Sequence, residues 1–179
     1  MPSPIGHTLA GCAVAFALIP PGMPQAWEAW TLCLISANLP DVDFIPGLLT
    51  GDARALHRGP SHSIMAALVV ALLVASLVTW PSMPWLTRAG LVFLAYGSHV
   101  GLDYLTPGRG VLFGWPFSRR RHRVSHPWFL SVPFGRPLKD VGTTPRSWHL
   151  LRAIGREVLL VSPVVIVLVL ARGLSWVPY

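Results

Sequence analysis

The chain has 179 residues, of which 53% are hydrophobic and only 12% are charged. Soluble domains carry about 25% charged residues, so this composition excludes an ordinary soluble domain and indicates a membrane protein. The formal net charge is +7. In a membrane protein, such an excess of positive charge first determines the topology and attracts anionic lipid headgroups, and no direct binding of nucleic acid is expected.

Five apolar segments follow one another along the chain, and each is predicted to form a helix. They cover residues 5–19, 25–39, 63–80, 85–105 and 158–171. A helix needs about 17 to 25 residues to cross a bilayer, a length that the third and fourth segments reach, whereas the other three are shorter. We therefore predict an all-α fold, an integral membrane bundle of four to five transmembrane helices in a single domain, residues 1–179.

The positive charges are distributed unevenly between the predicted loops. Every Lys and Arg except Arg88 and Arg172 lies either between the second and third segments or between the fourth and fifth. Because cytoplasmic loops carry the excess of Lys and Arg, both loops are predicted to be cytoplasmic. The N-terminus has no basic region or cleavage site of a signal peptide. We therefore expect a multi-pass protein of the cytoplasmic (inner) membrane with its N-terminus in the cytoplasm.

The basic cytoplasmic loop, residues 108–157, precedes the last membrane helix, residues 158–172, and contains the run RRRHR at 119–123. We interpret this run as a topology anchor that binds anionic lipid, with contact to a substrate phosphate as the alternative. An interfacial helix is predicted near residues 147–157. Trp115, Trp128 and Trp148 suit the headgroup layer.

Four short motifs contain most of the His and Asp side chains of the chain. They are GHTLAG (His7), NLPDVDFIPG (Asp41 and Asp43), HRGPSHS (His57 and His62) and SHVGLDYLTPG (His99 and Asp103). On the predicted topology, all four lie at the cytoplasmic ends of the helices. Ionisable groups at membrane depth are costly and usually face the interior of the bundle. Their convergence at one membrane face predicts a metal site.

Each motif alone has a simpler explanation. His99 and Asp103, four residues apart on one helix face, would form an intramembrane hydrogen-bonded pair. The Asp-x-Asp pair would cap a turn, and the histidines of HRGPSHS would lie at the interface beside a serine N-cap. His7 would be an ordinary terminal residue. The combination at one depth favours a metal, and three loop histidines are left out of the site: His122, His126 and His149.

The mixed His and Asp donor set suits Zn²⁺ first, with Mn²⁺ or Fe²⁺ as alternatives. Seven candidate ligands exceed what one tetrahedral ion needs. We therefore predict one or two divalent ions, with an aspartate shared between them in the second case. The spacing leaves open which carboxylate would be shared.

The motifs GHTLAG, NLPDVDFIP, HRGPSHS and SHVGLDYLTPGRGVLFGWPFS resemble the YdjM-like inner-membrane family, described as LexA-binding, membrane-bound, metal-dependent hydrolases. The resemblance covers the core motifs, residues 5–118. It implies a membrane-embedded bundle with a metal-dependent hydrolase site. The His-x-x-x-Asp element is also similar to one short motif of zinc-dependent phospholipase C enzymes. LexA as a partner rests on the family name alone, and the protein partner is unknown.

The leading hypothesis is a hydrolase of a membrane phosphoester, such as a phospholipid or a lipid-linked phosphate, that uses a metal-activated water. Asp43 is the candidate general base. Arg58 and Arg109 are candidates for binding the substrate phosphate, and Arg58 also for stabilising its developing charge. Four hydroxyl side chains are candidates for orienting the ligands: Thr8, Ser61, Ser63 and Thr106.

Two other classes remain open at this point. A transporter for a divalent metal or for protons would also carry intramembrane His and Asp, but the polar residues gather at one face, and no internal repeats are evident. A non-catalytic membrane protein would use the same residues for a structural metal site.

Overall fold

The computed structural model describes residues 3–20, 22–23, 26–49, 57–80, 83–130 and 146–174. The regular elements in these ranges are helices, together with one isolated β-bridge between Val111 and His122. The helices are α1 (Pro4–Leu18), α2 (Ala26–Asn38), α3 (Phe44–Leu49), α4 (Ile64–Leu77), α5 (Trp85–Tyr104) and α6 (Arg146–Leu174), and a 3₁₀ turn (Leu39–Asp43) joins α2 to α3. The prediction of an all-α fold is confirmed.

Helix α5 is the central element of the bundle, because it packs against α1, α2 and α4. Small side chains allow these helices to approach closely. Ala71 of α4 and Ala95 of α5 are buried in one core cluster. A Cβ atom on Gly11 of α1 would lie 2.8 Å from the Cβ of Ala37 on α2. Small residues at helix contacts are the usual solution in membrane bundles, where van der Waals packing holds the helices together.

Two serines begin helices next to the predicted site. The Ser3 hydroxyl accepts a hydrogen bond from the Gly6 amide at the start of α1. The Ser63 hydroxyl accepts one from the Ala66 amide, 3.0 Å away, at the start of α4. Serine is favoured at such positions because its oxygen satisfies an amide that the first turn of a helix leaves free. Both caps therefore determine where His7 and His62 lie relative to their helices.

The number of membrane spans is confirmed only in part. Among the described residues, one stretch, Leu151–Ala171 of α6, is long and apolar enough to cross a membrane. Helices α1 and α4 are apolar but shorter. The third apolar segment, predicted at residues 63–80, forms a helix of only 14 residues. At about 1.5 Å per residue this helix is about 21 Å long, less than the bilayer core of about 30 Å.

The predicted interfacial helix near 147–157 and the predicted last membrane helix, 158–172, are parts of one continuous helix in the structure. Helix α6 runs for 29 residues and contains Pro163 without ending there. Proline is tolerated inside membrane helices, because neighbouring helices, hydroxyl side chains and local adjustments of the helix satisfy the backbone groups that it leaves free. Residues 131–145 of the predicted basic loop lie outside the described residues.

The outer faces of α4 and α6 are apolar and exposed. Leu73 of α4 and Val167 of α6 are 54% and 63% exposed, and many of their neighbours on the same helices are similar. Contiguous apolar surface of this kind requires a nonpolar environment. Such surfaces suit the acyl chains of a membrane.

A buried carboxylate attaches α6 to the start of α1. Glu157 is fully buried. It accepts hydrogen bonds from the Ser3 amide, at 2.7 Å, and from the Ser3 hydroxyl. These bonds join the start of α1 to α6, which contains the stretch that is long and apolar enough to cross a membrane.

Replacing Glu157 by Ala is expected to lower the free energy of unfolding by about 1–3 kcal/mol, because two buried donors of Ser3 lose their acceptor. Thermal unfolding in detergent measures the change. Arg156→Ala alters the exposed neighbouring residue and serves as the control. Equal melting temperatures for the two variants would show that the Glu157 contact contributes nothing to stability.

Candidate metal centre

The structure brings the seven predicted ligand side chains to one place. They come from the first turns of α1, the 3₁₀ turn after α2, the turn before α4 and the last turns of α5. Four of them are completely buried: His7, His62, His99 and Asp103. The others are partly buried: Asp41, Asp43 and His57. The chain therefore places an unusual density of ionisable groups inside an apolar bundle.

The ring of His99 is oriented by a backbone carbonyl. Its Nδ1 atom lies 2.8 Å from the carbonyl oxygen of Ala37 on α2. A carbonyl can only accept a hydrogen bond, so Nδ1 carries the proton, and Nε2 of the neutral ring presents a lone pair. A backbone carbonyl behind a histidine is a usual way of directing the other ring nitrogen towards a metal.

The ring of His62 is oriented in the same way by a carboxylate. Its Nδ1 atom lies 3.1 Å from Oδ2 of Asp43 and 3.0 Å from the Ser61 hydroxyl. Its Nε2 atom then faces Nε2 of His99 at 3.2 Å. Two lone pairs at this distance repel each other unless a proton or a cation lies between them.

Two carboxylate oxygens lie beside these nitrogens. Oδ2 of Asp103 is 3.0 Å from Nε2 of His62 and 3.9 Å from Nε2 of His99. Oδ1 of Asp41 is 3.4 Å from Nε2 of His99 and 3.8 Å from Nε2 of His62. Both oxygens are buried, and neither has a hydrogen-bond partner of good geometry within the described part of the chain.

This set of four atoms fits a tetrahedral metal ion. In a tetrahedral centre with bonds of about 2.0–2.1 Å, neighbouring ligand atoms are about 3.3 Å apart. Here each of the four atoms lies 3.0–3.9 Å from at least two of the others. Two imidazole nitrogens with two carboxylate oxygens suit Zn²⁺, Mn²⁺ or Fe²⁺. The buried oxygens without partners are the atoms that an ion would bind.

His7 adds a third imidazole to the cluster. Its ring stacks on that of His99, with the centroids 3.5 Å apart and the planes 12° apart. Neither nitrogen of the buried His7 ring has a hydrogen-bond partner among the residues that the structure describes. One donor group combines His7, Asp41 and His99, and another combines Asp41, His57 and His62. Asp41 belongs to both groups, so it is the carboxylate best placed for sharing between two ions.

Asp43 lies behind the imidazoles rather than among the converging atoms. Its Oδ1 atom is 3.1 Å from Nδ1 of His57, and its Oδ2 atom accepts a hydrogen bond of 2.5 Å from Ser61. Burial raises the pKa of the Asp43 carboxyl, but the hydrogen bonds with His57 and His62 outweigh burial and hold this pKa well below its ordinary range. Asp43 is therefore an ionised acceptor that orients two histidines.

Arg58 reaches the cluster through Asp103. Its Nη2 atom donates to Oδ1 of Asp103 at 2.8 Å, and its side chain is 4% exposed. One carboxylate thus faces the arginine with one oxygen and the imidazoles with the other. Arg109, the second predicted phosphate ligand, is exposed at the start of the loop after α5.

The four hydroxyl side chains predicted to orient ligands have different contacts. Only Ser61 touches predicted ligands in the described contacts, as given above. The Thr8 hydroxyl donates to the Pro4 carbonyl and accepts from the Asn38 amide, whereas Thr106 donates to the Leu102 carbonyl. Ser63, as described, caps α4.

Tyr96 is a contributor that the sequence analysis did not single out. Its hydroxyl donates to the Ser61 carbonyl at 2.7 Å, which fixes the turn that carries His62. The spacing offered a signal, because Tyr96 precedes His99 by three residues and so lies on the same face of α5.

The fold and the site together define an all-helical membrane protein with a buried histidine and aspartate cluster that can hold a metal ion. The model of the YdjM inner membrane protein family matches residues 1–177. The chain belongs to this family. No curated protein and no solved structure matches the chain.

Replacing His99 and Asp103 together by Ala is expected to abolish metal binding, because the pair supplies two of the four converging atoms. Metal analysis by mass spectrometry on detergent-purified protein checks this, with His126→Ala, an exposed loop histidine, as the control. Wild type and control should hold the same stoichiometric metal. A wild-type protein that contains no metal and takes up none would contradict the site.

Metal affinity is expected to rise with pH. Burial lowers the pKa of His62, but the neighbouring carboxylates of Asp103 and Asp43 outweigh burial and raise the pKa to about 9. Below that pH an ion must displace a proton from His62, so the affinity should fall by about tenfold for each unit of decreasing pH. Titration calorimetry in buffers of different ionisation enthalpy measures the protons released. An affinity independent of pH would contradict this role of His62.

Proposed function

We propose that this protein is a membrane-bound, metal-dependent hydrolase of a phosphoester at the cytoplasmic face of the inner membrane. The observation that supports the proposal most is the convergence of two oriented imidazole nitrogens with two buried carboxylate oxygens that lack partners within the described ranges. Such a donor set inside an apolar bundle is expensive to maintain, so a functional role is the most economical explanation.

His62, His99, Asp41 and Asp103 would hold the ion. A divalent ion in this position supplies Lewis acidity towards a phosphoryl oxygen and lowers the pKa of a water. The surrounding residues keep the ligands oriented: the Ala37 carbonyl for His99, and Asp43 with Ser61 for His62. His7 covers one face of the His99 ring and limits access of bulk water from that side.

The pair of Asp43 and His57 is the proposed proton acceptor. Nδ1 of His57 donates to Asp43, which leaves Nε2 as the acceptor nitrogen. That atom has no hydrogen-bond partner in the described part of the molecule. A carboxylate behind an imidazole stabilises the charge that the ring gains when it accepts a proton. Asp43 would thus contribute to general base catalysis through His57.

Arg58 and Arg109 would bind the substrate phosphate. Arg58 uses Nη2 for Asp103, and its Nη1 atom remains for an oxygen of the substrate. Arginine binds phosphate with short, charge-assisted hydrogen bonds, and these strengthen as negative charge develops. A multi-pass topology with a cytoplasmic N-terminus would place this end of the bundle at the lipid headgroups, where an amphiphilic substrate such as a phospholipid or a lipid-linked phosphate would reach it.

The proposed activity is tested with purified protein in lipid nanodiscs, loaded with Zn²⁺ or Mn²⁺. Release of phosphate or of a phosphorylated headgroup from phosphatidic acid, phosphatidylglycerol and a polyprenyl phosphate is measured. Asp43→Asn and His57→Ala are each expected to lower kcat by about 10²- to 10⁴-fold, the usual contribution of general acid–base catalysis. His126→Ala should behave as wild type.

The outcomes separate the proposed classes. Turnover by wild type that is lost in the variants, while metal content is retained, supports the hydrolase. Metal uptake into proteoliposomes without any turnover would instead support a transporter. Loss of folding as the only effect of removing the ligands would support a structural metal.

A further inference from the structure

The turn that carries His57 and His62 has an unusual backbone conformation at Arg58. Its φ angle is 60°, in the left-handed region that few residues other than glycine adopt. The guanidinium is buried, and one nitrogen, Nη1, has no hydrogen-bond partner in the described ranges. The guanidinium is paired with Asp103 through Nη2, but a buried N–H group without an acceptor, as at Nη1, is costly. It indicates that an anion belongs there.

The loop after α5 leaves room for this guanidinium. A Cβ atom on Gly108 would lie 2.8 Å from Nη1 of Arg58. Gly110 is in a left-handed conformation, and a Cβ there would lie 2.6 Å from the carbonyl oxygen of His122. The β-bridge holds this close approach, since the amides and carbonyls of Val111 and His122 exchange hydrogen bonds of 2.8 and 2.9 Å.

Arg121 connects this loop to the Arg58 turn. Its Nη1 atom donates to the main-chain carbonyl of Arg58 at 3.0 Å and to that of Gly110 at 3.2 Å. One guanidinium therefore holds the backbone of Arg58 against the glycine-containing loop. The run that contains Arg121 is predicted from the sequence to be a topology anchor, with contact to a substrate phosphate as the alternative, and Arg121 of this run has specific main-chain partners.

Positive charge is concentrated around the turn that carries Arg58. Partial burial lowers the pKa of Arg121, and the nearby Arg109 and Arg58 lower it further. The guanidiniums of Arg58 and Arg109 are thus close enough to repel that of Arg121. A bound anion would remove this repulsion, and the planar forks of arginine match the oxygens of a phosphate.

We propose, on the basis of the hydrolase assigned above, that Arg58, Arg109 and Arg121 form a phosphate-binding site at the mouth of the metal centre. Arg58 and Arg109 contact the phosphate oxygens of the substrate. Arg121 is a positioning residue that holds the main chain of Arg58 so that Nη1 faces the phosphate. The substrate class is a phosphate ester with at least two free phosphoryl oxygens.

The test is titration calorimetry of inorganic phosphate into the detergent-solubilised, metal-loaded full chain. Arg121→Gln is expected to weaken phosphate binding by at least about tenfold, since the charge-assisted contacts of Arg58 with phosphate depend on the position that Arg121 gives it. Arg121→Lys should restore part of the affinity. Arg120→Gln is the matched control, because it removes one charge from the same run and its side chain is exposed. Its affinity should stay within about twofold of wild type, as expected for an exposed charge.

The metal content of every variant is measured beside the titration. Equal weakening by Arg121→Gln and Arg120→Gln would overturn the proposal in favour of general electrostatic attraction. No phosphate binding by wild type, or no difference between wild type and Arg121→Gln, would overturn it as well. In the hydrolysis assay, Arg121→Gln should raise KM and also lower kcat, because the contacts of Arg58 strengthen as negative charge develops. A partial loss of folding would lower kcat and leave KM unchanged.

Two further arms identify the source of the phosphate and separate this proposal from the hydrolase. Phosphate binding is measured in competition with nanodiscs that contain phosphatidic acid and, separately, with nanodiscs of neutral lipid. Competition by the phosphatidic acid discs alone identifies a lipid headgroup as the ligand. Phosphate binding that depends on Arg121 without turnover would support the binding site and remove the hydrolase. Turnover that Arg121→Gln leaves unchanged would support the hydrolase and overturn the phosphate-binding site.

Discussion

The interior of this bundle depends on one electrostatic constraint, the two imidazole nitrogens that face each other at 3.2 Å. Each ring is held from behind by an acceptor on another element, the Ala37 carbonyl or the Asp43 carboxylate. Neither ring can turn away without leaving that acceptor unsatisfied in an apolar environment. The end of α2, the 3₁₀ turn, the turn before α4 and the end of α5 are therefore positioned relative to one another by this pair.

The charges around this pair form layers. Asp41 and Asp103 contribute buried oxygens to the centre, and Asp43 lies behind the rings with Ser61. Arg58 binds the far oxygen of Asp103, and Arg121 holds the main chain of Arg58. A cation in the centre would balance the charge of the buried carboxylates. An anion at the arginines would offset the repulsion that Arg58 and Arg109 exert on Arg121. The metal centre and the arginine cluster are thus joined through a single carboxylate.

Much of the architecture was predictable from local patterns, because apolar runs, prolines and serine caps act over a few residues. The convergence of four His and Asp motifs was predictable from the cost of placing charge among apolar helices. Other features depend on distant contacts. The role of Asp43 behind the rings rests on His57 and His62, and the joining of two predicted helices into α6 rests on a proline that the environment tolerates.

The sequence by itself determined the all-helical class, the membrane character and the identity of the polar side chains, since each follows from composition and from periodicity along one element. Only the tertiary structure decided which atoms of those side chains converge. Ring orientation depends on acceptors from other helices, and the contact of Arg121 with Arg58 spans 63 positions of the chain. The physical reason is that hydrogen bonds and lone-pair directions are set by packing between elements, which no local pattern specifies.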